Sequence, residues 1–124
     1  MEDYINKLQN NDTSLIELNL AFKNIGDNGA IEISKVLKIN TTLQYLDICN
    51  SGNIGENGAI AICDALKVNT SLRKVNISSN NIGENGAIAI SRVWFTLSLI
   101  KRNILEALKF NTCLKKIDFN SNYI

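Results

Sequence analysis

The chain has 124 residues, a formal net charge of +1, 45% hydrophobic and 20% charged residues, and no histidine. The length allows one domain or a short repeat array, and the composition excludes a disordered chain. The missing histidine removes the usual general base and most zinc sites, and the near-zero net charge argues against nucleic-acid binding.

The first segment predicts a short helix. Tyr4, Ile5 and Leu8 fall on one helical face, and a polar turn begins at Asn11. We interpret residues 1–14 as a partial repeat that contains only the end of its helix. The acidic start, Met1-Glu2-Asp3, lacks the apolar core of a signal peptide.

One pattern then recurs along the chain. Its strand portions are Leu15-x-x-Leu18-x-Leu20, Leu43-x-x-Leu46-x-Ile48, Leu72-x-x-Val75-x-Ile77 and the partial copy Leu114-x-x-Ile117-x-Phe119. The first and second copies start 28 positions apart, and the second and third 29, because the turn at residues 49–52 holds one extra residue. Repetition at this period predicts stacked strand–helix units, each pairing its strand with the next.

Each copy continues with a turn and a helix. Glycine follows the strand at Gly26, Gly55 and Gly83, where we expect a left-handed backbone, and an acid follows each glycine at the predicted helix start. The predicted core stripe of the helices comprises Ile31, Ile33, Val36 and Leu37 with their counterparts Ile60, Ile62, Ala65 and Leu66. Asn40 and Asn69 are expected to end their helices in left-handed geometry.

The repeated pattern resembles the ribonuclease-inhibitor type of leucine-rich repeat. The resemblance implies an α/β leucine-rich-repeat solenoid, a short curved horseshoe with parallel strands on the concave face and helices on the convex face. Residues 1–124 would form one array: partial repeat 1–14, repeats starting at 15, 43 and 72, an insert at 93–106, and partial repeat 114–124. The family's asparagine after the strand fits Asn80 and Asn122, whereas Lys23 and Ser51 replace it in earlier copies. We therefore expect an interrupted asparagine ladder.

Fourteen residues, Val93–Glu106, interrupt the register. Their apolar spacing predicts a longer helix, yet fourteen helical residues add about 21 Å. The return segment 110–113 spans roughly 14 Å at most. We expect a helix break near residues 96–98 or 102–103, or a last strand that leaves the sheet.

Two other interpretations of this segment stay open. Residues 94–104 could form a degenerate repeat with its own strand. Alternatively, 93–106 could derive from a retained in-frame intron, since valine codons begin with GT and a glutamate codon can end with AG.

The outward strand positions are the candidate binding residues, because they line the concave face of such a solenoid. We predict that these residues contact a protein partner: Glu17, Asn19, Gln44, Tyr45, Asp47, Arg73, Lys74, Asn76, Lys115, Lys116 and Asp118. Charge is divided along the array, with net −4 over residues 1–62 and net +5 over residues 63–124. The basic members of the set therefore gather at one end.

The sequence favours binding over catalysis. The glycine-rich stretch 52–58 lacks the Gly-Lys-Ser/Thr ending of a phosphate-binding loop. The cysteines, Cys49, Cys63 and Cys113, have no metal-ligand spacing and suit a reducing cytoplasm. We predict no catalytic residue, metal or cofactor, and neither a nucleic-acid nor a membrane partner.

The resemblance implies a protein-interaction module, as in enzyme inhibitors, immune-receptor sensor arms and actin-capping arrays. We therefore predict a non-catalytic, cytoplasmic module that binds a protein of unknown identity through the concave strand face. The alternative is a GTPase-activating or other regulatory leucine-rich-repeat protein acting on a partner enzyme. Uncapped ends of the array would also allow self-association.

Overall fold

The chain alternates helices and short strands in the computed structural model, which describes residues 1–101, 116–119 and 122. Its elements are α1 (Glu2–Gln9), β1 (Glu17–Asn19), α2 (Gly26–Leu37), β2 (Tyr45–Asp47), α3 (Glu56–Val68), β3 (Lys74–Asn76), α4 (Gly83–Lys101) and β4 (Lys116–Asp118).

The strands form one parallel sheet in the order β1-β2-β3-β4. Leu18, Leu46, Val75 and Ile117 are lateral partners, so the repeated pattern is aligned position by position. Helix α1 packs on α2, α2 packs on α3, and α3 packs on α4. The expected α/β leucine-rich-repeat architecture is confirmed.

The core lies between the sheet and the helices. Leu18 and Leu46 on the strands and Ile33, Leu37 and Ile62 on the helices are all at most 2% exposed. The predicted helix stripe is buried except at its margin, where Ile31 and Ile60 are only half-buried. Burial of each large aliphatic side chain stabilises the fold by about 1.5–3 kcal/mol.

The glycine turns follow the prediction in two repeats and depart from it in one. Gly26 and Gly83 have φ of 61° and 70°, as expected. Gly55 is extended, with φ of −100°, so the prediction for this residue is wrong. The turn of this repeat holds one extra residue, and its left-handed glycine is Gly52, with φ of 79°. A Cβ on Gly52 would lie 2.9 Å from the Asn24 Cα.

The acid in the first turn of α2 stabilises the next helix as well as its own. Asp27 Oδ1 accepts hydrogen bonds from the Gly55 and Gly58 amides at 2.7 and 3.0 Å, at the start of α3. These amides have no partner within their own helix, and a carboxylate complements the positive end of the helix dipole. Asp27 therefore joins two repeats, a role that the sequence pattern did not predict.

Buried asparagines join the repeats at the other end of the helices. Asn69 has φ of −68° and Asn40 has no positive φ, so the left-handed geometry predicted for both is wrong. The Asn69 amide instead donates to the Leu37 and Asn40 carbonyls, and its oxygen accepts from the Leu72 amide. Asn40 bonds in the same way to the Leu8 carbonyl. These contacts satisfy buried backbone groups between helix and strand.

A second ladder follows the strands. Asn80 Oδ1 accepts from the Ser51 and Ile54 amides, and its Nδ2 donates to the Ile48 carbonyl. In the following repeat, Asn122 Oδ1 accepts a hydrogen bond from the backbone amide of Asn80. Ser51 partly replaces asparagine, because its hydroxyl donates to the Leu20 carbonyl at 2.6 Å. The ladder therefore reaches one repeat further than asparagine alone would take it.

The inserted residues lengthen α4. The helix is continuous through residues 96–98, so the break predicted there is wrong, and the Thr96 hydroxyl bonds back to the Arg92 carbonyl. The alternative break at 102–103 lies outside the described residues. β4 pairs with β3, so the last strand stays in the sheet. A degenerate repeat over 94–104 is contradicted by the helix, and the intron interpretation remains a hypothesis about the transcript.

We expect Asp27→Ala to lower the free energy of unfolding by about 1–2 kcal/mol, because it leaves two helix-start amides without their acceptor. Urea denaturation at pH 7 measures the change. Glu84→Ala is the matched control, since Glu84 is exposed at the corresponding position of α4. A loss in Glu84→Ala as large as in Asp27→Ala would contradict the inter-repeat role of Asp27.

We expect Asn80→Ala to lower the free energy of unfolding by about 2–4 kcal/mol, since it removes the hydrogen-bond partners of buried backbone amides and of a buried carbonyl. The neighbouring Asn81 is exposed, so Asn81→Ala should change stability by less than about 0.5 kcal/mol. Thermal and urea unfolding of the two variants provide the comparison. Equal stability of both would show that the ladder contributes little.

Candidate partner-binding surface

The outer face of the sheet carries a concavity of about 620 Å³. Eight of the eleven predicted binding residues line it: Glu17, Gln44, Tyr45, Arg73, Lys74, Asn76, Lys116 and Asp118. Val75 also lines it, although it is a core position with no outward sequence signal. Asn19 and Asp47 lie on the same strands but outside the lining, and Lys115 is outside the described residues.

The strand register arranges these side chains in two lateral rows. The first row is Glu17, Tyr45, Lys74 and Lys116, and the second row is Asn19, Asp47, Asn76 and Asp118. Neighbouring strands are about 4.8 Å apart, so adjacent members of a row can contact one ligand together. The first row changes from acidic to basic across the sheet.

The second row is engaged with its own backbone. Asn19, Asp47 and Asn76 each accept a hydrogen bond from the amide two residues later, at 2.9–3.0 Å. These bonds form the turns that end the strands. The row therefore has a structural function, and fewer of its oxygen lone pairs are available to a ligand.

A basic corner is formed by Lys74 and Lys116 of the first row together with Arg73, which immediately precedes β3. All three side chains are exposed. In the part of the chain that the structure describes, the ion pairs are Lys7–Asp3 and Lys67–Asp64, both within helices. The three cations of the basic corner thus have no carboxylate of the described residues in ion-pairing distance.

Tyr45 lies at the centre of the first row. Its hydroxyl donates to Asp47 Oδ2 at 3.3 Å. Burial and the negative charge of Asp47 raise the pKa of Tyr45 above its ordinary value, because both disfavour the phenolate. Tyr45 therefore presents a neutral, half-buried ring to a ligand over the neutral pH range.

The thiols are poorly suited to nucleophilic chemistry. Burial and hydrogen bonding to Asp47 raise the pKa of Cys49, and burial raises the pKa of Cys63 to about 12. A nucleophilic cysteine requires the thiolate, which a raised pKa depletes. Cys113 lies outside the described residues.

The described ranges, 1–101, 116–119 and 122, contain no cluster of cysteine and acidic side chains able to hold a metal ion. None of their helices combines the length and apolarity needed to cross a bilayer.

Comparison with known proteins identifies relatives of the fold. The family model described as "Leucine Rich repeat" matches residues 11–34, 40–63 and 68–91. The solved structure described as "Leiomodin-1 Actin-Binding Site 2 (ABS2)" is similar with a TM-score of 0.77 and 23% identity, covering 98% of this chain. The tropomodulin C-terminal domain from Caenorhabditis elegans has a TM-score of 0.69 and 18% identity, covering 95% of this chain and 81% of its own.

This chain spans 62% of the leiomodin structure that it matches. No curated protein sequence matches it.

We expect Asp47→Asn to accelerate alkylation of Cys49 by about two- to fivefold at pH 8.5, because removing the negative charge lowers the thiol pKa. Iodoacetamide labelling in a Cys113→Ser background, read by mass spectrometry, measures the rate. Cys63 should remain unlabelled in the folded protein, since a pKa of about 12 keeps it a thiol. An unchanged alkylation rate of Cys49 would show that Asp47 does not raise the pKa of this thiol.

Proposed function

The chain belongs to the leucine-rich-repeat family, and on that premise we propose that it is a non-catalytic module that binds a protein partner through its concave strand face. The ribonuclease-inhibitor subclass, indicated by the 28-residue period, is part of this proposal. The single observation that carries it is the collection of eight polar side chains from four aligned strands into one concavity.

The surface has the composition of a recognition site. Tyr45 supplies a large amphipathic contact at low entropic cost, and Arg73 supplies a planar cation. Both residue types dominate the binding energy in measured interfaces. The backbone beneath them is fixed by the parallel ladder and a closely packed core, so the surface is organised before a partner arrives.

The similar structures give a first partner to test. The leiomodin-1 structure is described as an actin-binding site, so actin is the first candidate for this chain, and a co-sedimentation assay with actin filaments tests it directly. A negative result would eliminate actin filaments as the partner and leave the module proposal standing, since the similarity supports the fold at 23% identity.

We also propose that the protein acts in the cytoplasm. Cys49 and Cys63 are free thiols. Proteins of reducing compartments keep such cysteines reduced, whereas oxidising compartments favour disulfides. Imaging of a tagged chain in cells of its source would test the location.

We expect the double variant Arg73→Glu/Lys74→Glu to lose most partner binding while keeping its fold, because both side chains are exposed on the surface. Affinity capture from a lysate, with bound proteins quantified by mass spectrometry, identifies partners that the wild type retains. Circular dichroism and urea unfolding verify the fold of the variant.

The matched control is Lys35→Glu/Arg92→Glu. It makes the same change of charge with one lysine and one arginine, on exposed positions of helices α2 and α4. Partners that survive in the control and disappear in Arg73→Glu/Lys74→Glu support the concave face. Equal capture by both double variants would reject that face as the main contact.

A further inference from the structure

The basic corner and its surroundings indicate what kind of partner the surface accepts. Resting on the proposed function, we infer that the concave face binds an acidic polypeptide segment that lies across β3 and β4, with carboxylates over Arg73, Lys74 and Lys116. The less acidic part of the segment lies over Tyr45 and Gln44, toward β1.

The first argument is the repulsion within the basic corner. Lys74 and Lys116 are direct lateral partners in a parallel register, and Arg73 immediately precedes Lys74. Like charges directly opposite each other destabilise a sheet. A ligand carboxylate placed between two ammonium groups relieves this repulsion and gains charge-assisted hydrogen bonds.

The second argument is that two acids of the neighbouring strands, Glu17 and Asp47, are placed too far away or are otherwise engaged. Glu17 is two strand spacings from Lys74, about 10 Å, which is close to the Debye length at physiological salt. Asp47 accepts hydrogen bonds from the Tyr45 hydroxyl and the Cys49 amide. These carboxylates therefore leave the basic corner available to a carboxylate from outside.

The third argument concerns the class of macromolecule. A nucleic acid carries a negative phosphate at every step, and at the β1 end of this concavity it would meet the carboxylate of Glu17. A polypeptide can present acidic side chains at one end and neutral ones at the other. The change from acidic to basic along the first row therefore matches a polypeptide whose charge is also unevenly distributed.

Binding of this kind has a defined salt dependence. Exposed cations attract an acidic segment mainly through long-range forces that salt screens, so the association rate should fall steeply with ionic strength. The contact of Tyr45 with neutral residues should respond far less. The two parts of the surface can therefore be distinguished in one titration.

The test begins with selection of random peptides displayed on phage against the wild-type protein. We expect the selected peptides to be enriched in aspartate and glutamate. A synthetic selected peptide is then compared with its Asn/Gln counterpart by fluorescence anisotropy, where we expect affinity about tenfold or more lower for the amide version. The affinity of the acidic peptide should also fall at least about tenfold for the Arg73→Glu/Lys74→Glu variant. It should fall less than about twofold for the Lys35→Glu/Arg92→Glu control.

The outcomes separate this inference from the proposed function. Selected peptides could lack acidic residues and still lose affinity for the Gln44→Ala/Tyr45→Ala variant. That result would overturn the inference of an acidic segment and support binding at the concave face. Peptides whose affinity no concave variant alters, or failure to select any peptide, would overturn both. Equal or tighter binding of a single-stranded oligonucleotide at the same salt concentration would assign the surface to nucleic acid and overturn the inference.

Discussion

The structure depends on side chains that complete the hydrogen bonding of a neighbouring repeat. Asp27 supplies the acceptor for the first amides of α3, Asn69 bonds to the carbonyl that ends α2, and Asn80 holds the turn after β2. A single strand–helix unit would leave these backbone groups exposed to water or buried without partners. Lateral association therefore satisfies polar groups at the same time as it buries the apolar faces, which makes the stacked arrangement the stable one.

The same constraint produces the concave surface that we propose for partner binding. The inward side chains are fixed by the core, and the outward ones are consequently aligned in rows whose neighbouring members are 28, 29 or 42 residues apart in sequence. Charged residues of successive repeats are far apart in the sequence but lie side by side in the sheet. Their charge differences therefore become a change of electrostatic potential across one concavity. Glu17, Tyr45, Lys74 and Lys116 are one such row.

The repeat register was enough to predict the strands, their parallel order and eight of the residues around the concavity, because period and alternation directly encode lateral position. The predictions that were wrong concern backbone conformations that depend on turn length or on interactions between repeats. The conformation of Gly55 depends on one extra residue upstream, and Asn40 and Asn69 bond to carbonyls about 30 residues away. The continuity of α4 through Thr96 was missed because the length of the insert does not fix where along the segment the chain leaves the helix.

The separation of inward and outward positions has a consequence for how such a protein can diversify. Mutations at Tyr45, Arg73 or Lys74 would alter the surface that we propose for partner binding, while Leu46 and Val75, beside them in sequence, keep the scaffold intact. Duplication of one 28-residue block would also add a single strand, widening the concave face by about 4.8 Å without redesign of existing contacts. New specificity can thus accumulate by point changes and by unit-sized growth, each largely independent of folding.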